Sequence, residues 1–271
     1  IGDWSSDVCS SDLKIKQIVT IFAALALAVT AGLSFAGTKT KAAGSDEFTR
    51  TAIEIAADMG YGWNLGNTME ATNTWTSNPK VTDFETAWGQ PVTTKAMIDG
   101  IKKAGFNSIR IPVSWSNMMS SDGNYTIDAS YFKRVDEIIS YAFANDMYVI
   151  INDHYDGGWW EHFCGNKRDC MKHYKNMWTQ VAEHYKDYSE KLIFESANEE
   201  LGDSLKKSLS KIDVNISDTA LYNLVNEINQ TFVDIVRQSG GNNARRYLLI
   251  AGFNTDIDKT CKIGRASCRE R

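Results

Sequence analysis

The chain has 271 residues, a formal net charge of −5, and 43% hydrophobic and 11% aromatic residues. Mild acidity without a basic stripe argues against nucleic acid as a partner, and the aromatic content suits a neutral ligand bound by stacking. His154, His162, His173 and His184 lack metal-ligand spacing, so neither a metal nor an organic cofactor is expected.

Both ends are set aside from fold reasoning. Residues 1–13 (IGDWSSDVCSSDL) and 262–271 (KIGRASCRER) resemble conceptual translations of the linkers ligated to DNA before short-read sequencing. Their opposite charges cancel. Lys14 and Lys16 precede an uncharged run over 18–33, and Ala36 with Ser34 offers the small residues a signal peptidase reads. This pattern predicts a secretory signal peptide over 14–36 and an extracellular destination. A membrane anchor is the alternative, for which the run is short. Residues 37–45 read as a polar linker, and 46–261 as one catalytic domain. Export permits a Cys164–Cys170 disulfide, with two free thiols as the competing reading.

The pattern then alternates between strand and helix. Strands are predicted over 61–65, 107–113, 147–152, 191–197 and 247–251. Helices are predicted over 93–104, 129–145, 171–185 and 220–239. The second helix carries an apolar stripe of Val135, Ile138, Ile139 and Ala142. Gly105 stops the first helix, and Gly240 and Gly241 stop the last. This alternation implies a parallel α/β sheet. Candidate site residues follow every strand instead of gathering at one switch point, which favours a (β/α)₈ TIM barrel over an open doubly wound sheet. Five units fill the chain, so the barrel is expected to be truncated after about the fifth strand.

Site candidates cluster at strand ends. Asn64 and Glu70 flank the turn after the first strand. Arg110 lies inside the second strand between Ile109 and Ile111, where an unpaired charge is costly. It either bridges a core carboxylate or orients a catalytic one, and both are compatible. The third strand runs into Asn152-Asp153-His154-Tyr155-Asp156 and on to Trp159-Trp160, and the fourth into Glu195-Ser196-Ala197-Asn198-Glu199-Glu200. Glu195 is expected on the interior face with Arg110 as partner. Asn198 and Glu199 are neighbours, so both reach one cleft only if the strand ends or bulges there. Glu200 is expected to face solvent.

In order along the chain, Trp63-Asn64-Leu65-Gly66-Asn67-Thr68, Trp88-Gly89-Gln90-Pro91, 105–113, 152–156 and Phe194-Glu195-Ser196-Ala197-Asn198-Glu199 resemble glycoside hydrolase family 5, the cellulase family of retaining (β/α)₈ enzymes. The resemblance implies Glu199 as general acid/base and Asn198 as the contact to the sugar 2-hydroxyl. It implies Arg110 as support for the nucleophile and His154 as part of the same subsite. Asn64, Glu70, Trp88, Tyr155, Trp159 and Trp160 are candidate substrate contacts. The chain departs from the family in carrying Glu200 where a Pro is usual, and in its Asp-His-Tyr-Asp string. The family nucleophile, a Glu after the seventh strand, has no counterpart assigned here.

The expected activity is endo-hydrolysis of a β-1,4-glucan, in a fragment that is itself inactive. Mannan, xyloglucan or mixed-linkage glucan are alternative substrates, and a non-catalytic sugar-binding fragment is an alternative of another class. The expected partner is a β-linked polysaccharide, with no nucleic acid, no stable membrane association after signal cleavage, and a monomeric intact enzyme.

Overall fold

The computed structural model describes residues 48–74, 76–210 and 216–263. All of these lie in one compact unit, Thr38–Arg271. The N-terminal linker-like stretch, the signal segment, the polar linker and residues 264–271 lie outside the described residues.

Five strands form one parallel sheet: β1 (Gly62–Asn64), β2 (Ser108–Ile111), β3 (Tyr148–Asn152), β4 (Leu192–Glu195) and β5 (Leu248–Leu249). Their spatial order is β1-β2-β3-β4-β5, so every crossover returns to the adjacent position in the same sense. That is a barrel's order; a doubly wound sheet reverses at its switch point. The helices are α1 (Ala52–Met59), α2 (Val81–Glu85), α3 (Lys95–Lys103), α4 (Ala129–Phe143), α5 (Lys167–Tyr185), α6 (Asp218–Gln238) and α7 (Ile257–Thr260). Among the described residues, no helix is long and apolar enough to cross a membrane.

Local chemistry sets the boundaries. Thr94, one residue later than expected, caps α3 by accepting from the Met97 N–H. Gly105, at φ +98°, closes that helix: its N–H reaches the Lys102 carbonyl, and the Phe106 N–H reaches that of Ile101. Pro112 lacks an N–H, and β2 stops before it. Helix α5 begins four residues earlier than its apolar pattern, because its first turn is polar. Helix α1 was not anticipated, although Thr51 and Glu54 form a reciprocal capping box at its start.

Strand alternation sorts the residues onto two faces. Ile109, Ile111, Val149, Ile151, Leu192 and Phe194 share one face and are fully buried in the main core with the helices. The opposite face carries Tyr148, Ile150 and Ile193, closed off by Ile55 and Met59 of α1. Arg110 stands on that face level with Ile150 and Ile193, and Glu195 lies one step nearer the C-terminal edge.

One buried ion pair fixes the loop that carries Trp88. Arg134 of α4 donates to both oxygens of Glu85, at 2.9 and 2.8 Å, and to the Thr93 carbonyl at 2.6 Å. Glu85 also accepts from the Thr93 N–H at 2.6 Å. The Glu85 side chain is fully buried, so removing its partner strands a charge. Arg134→Met should cost about 3–5 kcal/mol in urea unfolding. A loss below about 1 kcal/mol would show that the loop does not depend on the pair.

Candidate active site

The register places Asn64 of β1 beside Arg110 of β2, and Glu195 one step further along the same face on β4. Arg110 uses this arrangement fully. Its Nε and Nη2 donate to the two oxygens of Glu195 at 2.6 and 3.0 Å. Nη2 also donates to Asn198 Oδ1 at 2.9 Å, and Nη1 to Asn64 Oδ1 at 3.0 Å. The pair is mostly shielded, with 22% and 17% of the two side chains exposed. A forked charge-assisted pair of this kind fixes direction as well as distance. The structural reading of Arg110 therefore holds, and the same bonds orient Asn198.

Strand β4 ends at Glu195, two residues earlier than expected. Beyond it the chain is irregular, which frees Asn198 and Glu199 from strict alternation. The Asn198 N–H donates to the Asp153 carbonyl at 3.1 Å, tying this segment to the end of β3. Ser196 ties it on the other side: its hydroxyl donates to Asn229 of α6 at 2.8 Å and accepts from the Ala251 N–H at 3.0 Å. Glu199 stands exposed on this braced turn. Glu200 does not face solvent as expected. Its Oε1 accepts from the Tyr155 N–H at 2.7 Å, and its Oε2 is buried without a hydrogen-bond partner. Burial pushes its pKa up to about 7, against the lowering effect of the Tyr155 N–H. Asp153 is buried nearby, and burial raises its carboxyl well above the usual range, with Asp156 and Glu200 adding to the rise.

The expected aromatic contacts divide into two kinds. Trp88 and Tyr155 are each 41% exposed, with ring centroids 6.2 Å apart, and form an open pair suited to stacking on a sugar. Trp160 is fully buried and donates from Nε1 to Asp153 at 3.1 Å, so it is a core residue and not a substrate contact. Trp159 stacks on Trp160 and on His173 at 4.3 and 4.4 Å and donates to Asp156 at 2.7 Å. Its ring is thus engaged by protein. Glu70 is also corrected: it is 3% exposed, and its oxygens accept from the Asn67 and Thr68 N–H groups. It builds the turn after β1. A Cβ at Gly66 in that turn would lie 2.8 Å from Asn64 Nδ2 and push against the amide that Arg110 holds.

Sequence reasoning missed the scaffold beneath these loops. Asp156 accepts from the Ser116 N–H and hydroxyl, both at 2.7 Å, and is buried. Ser114 lies between the Glu70 and His154 carbonyls, at 2.8 and 2.9 Å. Only their position just past strand ends could have flagged them. Cys164, Cys170 and Cys261 are free thiols. Among the described residues, no group of three or more His, Cys, Asp or Glu is disposed to hold a metal ion.

His154 is half-buried, and its Nδ1 lies 3.4 Å from Asn152 Nδ2. Burial and the Arg110 charge lower its pKa from 6.5 to about 4. The ring is therefore neutral at neutral pH and can accept or donate one hydrogen bond without carrying charge. Between about 6.5 and 4 the unfolded chain binds this proton and the folded chain does not, so the stability tied to His154 is lost as pH falls through that window. An NMR titration should find the His154 midpoint well below 6.5. A midpoint at or above 6.5 would place the ring in solvent, away from Arg110.

The family model Cellulase (glycosyl hydrolase family 5) matches residues 69–263. Endoglucanase A of Paenibacillus barcinonensis is 43% identical over 244 residues, covering 88% of this chain and 57% of its own length. A GH5-4 broad specificity endoglucanase from Ruminococcus champanellensis, solved with bound cellotriose, superposes with TM-score 0.72 at 37% identity. That match covers 82% of this chain and 63% of the other. A family 5 lichenase from Caldicellulosiruptor sp. F32, in complex with cellotetraose, gives TM-score 0.70 at 39% identity, covering 82% and 60%. The chain thus spans less than two thirds of each of these relatives. On the extent of the family match and the identity to these relatives, the chain belongs to glycosyl hydrolase family 5, the cellulase family.

Proposed function

We propose that the chain is part of a secreted, retaining endo-β-1,4-glucanase in which Glu199 is the general acid/base. The observation that carries this reading is the bracing of Asn198 by Arg110, which sets the exposed Glu199 at the C-terminal edge of the sheet. Catalytic groups of (β/α)₈ enzymes stand at that edge. Relatives named as endoglucanases support the substrate class. The basic n-region, apolar run and small residues at 34 and 36 support secretion.

In this mechanism Glu199 gives its proton to the glycosidic oxygen while a second carboxylate attacks the anomeric carbon. Glu199 then takes a proton from water, which displaces that carboxylate from the sugar. Retention requires the two carboxyl groups about 5–5.5 Å apart. None of the described carboxylates beside Glu199 is assigned the attack. Glu195 is held in a fork by Arg110, Glu70 lies under its turn, and Asp156 is buried under Ser116 and Trp159. Neutral His154 and Asn198 offer uncharged hydrogen bonds to sugar hydroxyls, and Trp88 with Tyr155 offers stacking.

Xyloglucan or mixed-linkage glucan is the second reading. Relatives named as a xyloglucanase and a lichenase favour it, and the open Trp88–Tyr155 pair stacks on any of these chains. In the enzyme carrying its second carboxylate, Glu199→Gln should slow cellulose-derivative hydrolysis about 10²–10⁴-fold. Azide should restore turnover on an activated aryl glycoside, which needs no protonation of its leaving group. Equal loss on both substrates without rescue would remove Glu199 from the role.

A further inference from the structure

Tyr155 has a backbone conformation that few non-glycine residues adopt. Its φ of 56° and ψ of −54° form a γ-turn, closed by the Asp156 N–H on the His154 carbonyl at 2.5 Å. This positive-φ γ-turn is the rare, strained kind. Asp156, Gly157 and Gly158 follow it, all with positive φ. Strain of this sort persists only where the surroundings enforce it, and it gathers at functional sites.

One enforcing contact is the hydrogen bond from the Tyr155 N–H to Glu200 Oε1. Glu200 adjoins Glu199 in sequence, and its other oxygen is buried without a partner. The bond it makes crosses from the β4 turn to the β3 turn. The residue whose backbone it holds carries the half-exposed ring beside Trp88. Trp88 lies in the loop between Glu85 and Thr93, whose two ends are joined through Arg134.

We propose that Glu200 is a positioning residue: by accepting the Tyr155 N–H, it sets Tyr155 against Trp88 as a sugar-stacking platform in register with Glu199. The class of ligand, a β-linked glucan chain, rests on the function proposed above. Shape complementarity at such a platform depends on the ring angle, so a loosened γ-turn lowers affinity without removing any aromatic surface.

The test uses the full chain and two readouts: hydrogen exchange at the Tyr155 amide, and cellotetraose binding by calorimetry. Glu200→Ala should raise Tyr155 exchange and weaken cellotetraose binding, each by about tenfold. Glu200→Gln keeps an acceptor oxygen and should stay within about threefold of the parent on both. Trp88→Ala added to Glu200→Ala should cost less than Trp88→Ala alone, because the platform is already lost. Slow exchange at the β3 amides serves as the control for folding, and Glu200→Ser replaces Glu200→Ala should that control fail. Unchanged Tyr155 exchange in Glu200→Ala would overturn the clamp. Faster exchange with unchanged binding would overturn the platform. A parent chain that binds no cello-oligosaccharide would refute the glucan reading, and the exchange arm would still decide the clamp.

Discussion

A guanidinium holds five N–H donors in one rigid plane, and the site is arranged around that plane. Arg110 stands on β2, one strand in from the edge of the parallel sheet, on the face that carries the small apolar cluster. Its fork fixes Glu195, the last residue of β4, and its remaining contacts fix Asn64 and Asn198. Three strand ends are thereby held to a common origin. Leaving that charge unpaired in a half-dry setting would be costly, so the surrounding groups are constrained to converge on it. Glu199 follows Asn198 by one residue and takes its position from that convergence.

A second layer of constraint lies beyond β3 and β4. Asp153, Asp156 and Glu200 are three acids in a small volume, and burial raises the carboxyls of Asp153 and Glu200. Each nevertheless accepts from a specific donor: Trp160, Ser116 with Trp159, and the Tyr155 N–H. These bonds hold the run of positive-φ residues from Tyr155 to Gly158. The price of burying acids is met by the order they impose on two loops.

Much of this was legible in the sequence, and the remainder fails for identifiable reasons. The three inner strands could be read because their apolar runs are nearly continuous, as expected for parallel strands covered on both faces. Arg110 stood out because a charge flanked by isoleucines demands a partner, and Glu195 had the parity to supply it. The aromatic string misled, because Trp159 and Trp160 look alike in sequence while their engagement depends on Asp153 and Asp156 earlier in the same loop and on His173 of α5. Glu70 and Glu200 misled for the same reason. Glu70 was expected towards the cleft and Glu200 towards solvent, yet backbone N–H groups nearby in space decide where each carboxylate turns. Helix α1 carried a readable capping box but only eight residues, too short for periodicity to mark it.

The central claim is that Arg110 and Glu195 act as one unit on which the strand ends depend. A double-mutant cycle in urea unfolding tests it most directly, using Arg110→Met, Glu195→Leu and the pair together. The two single losses should sum to about 2 kcal/mol more than the loss in the double variant. Additivity within about 0.5 kcal/mol would contradict it, and would mean that the strand ends are held by packing alone.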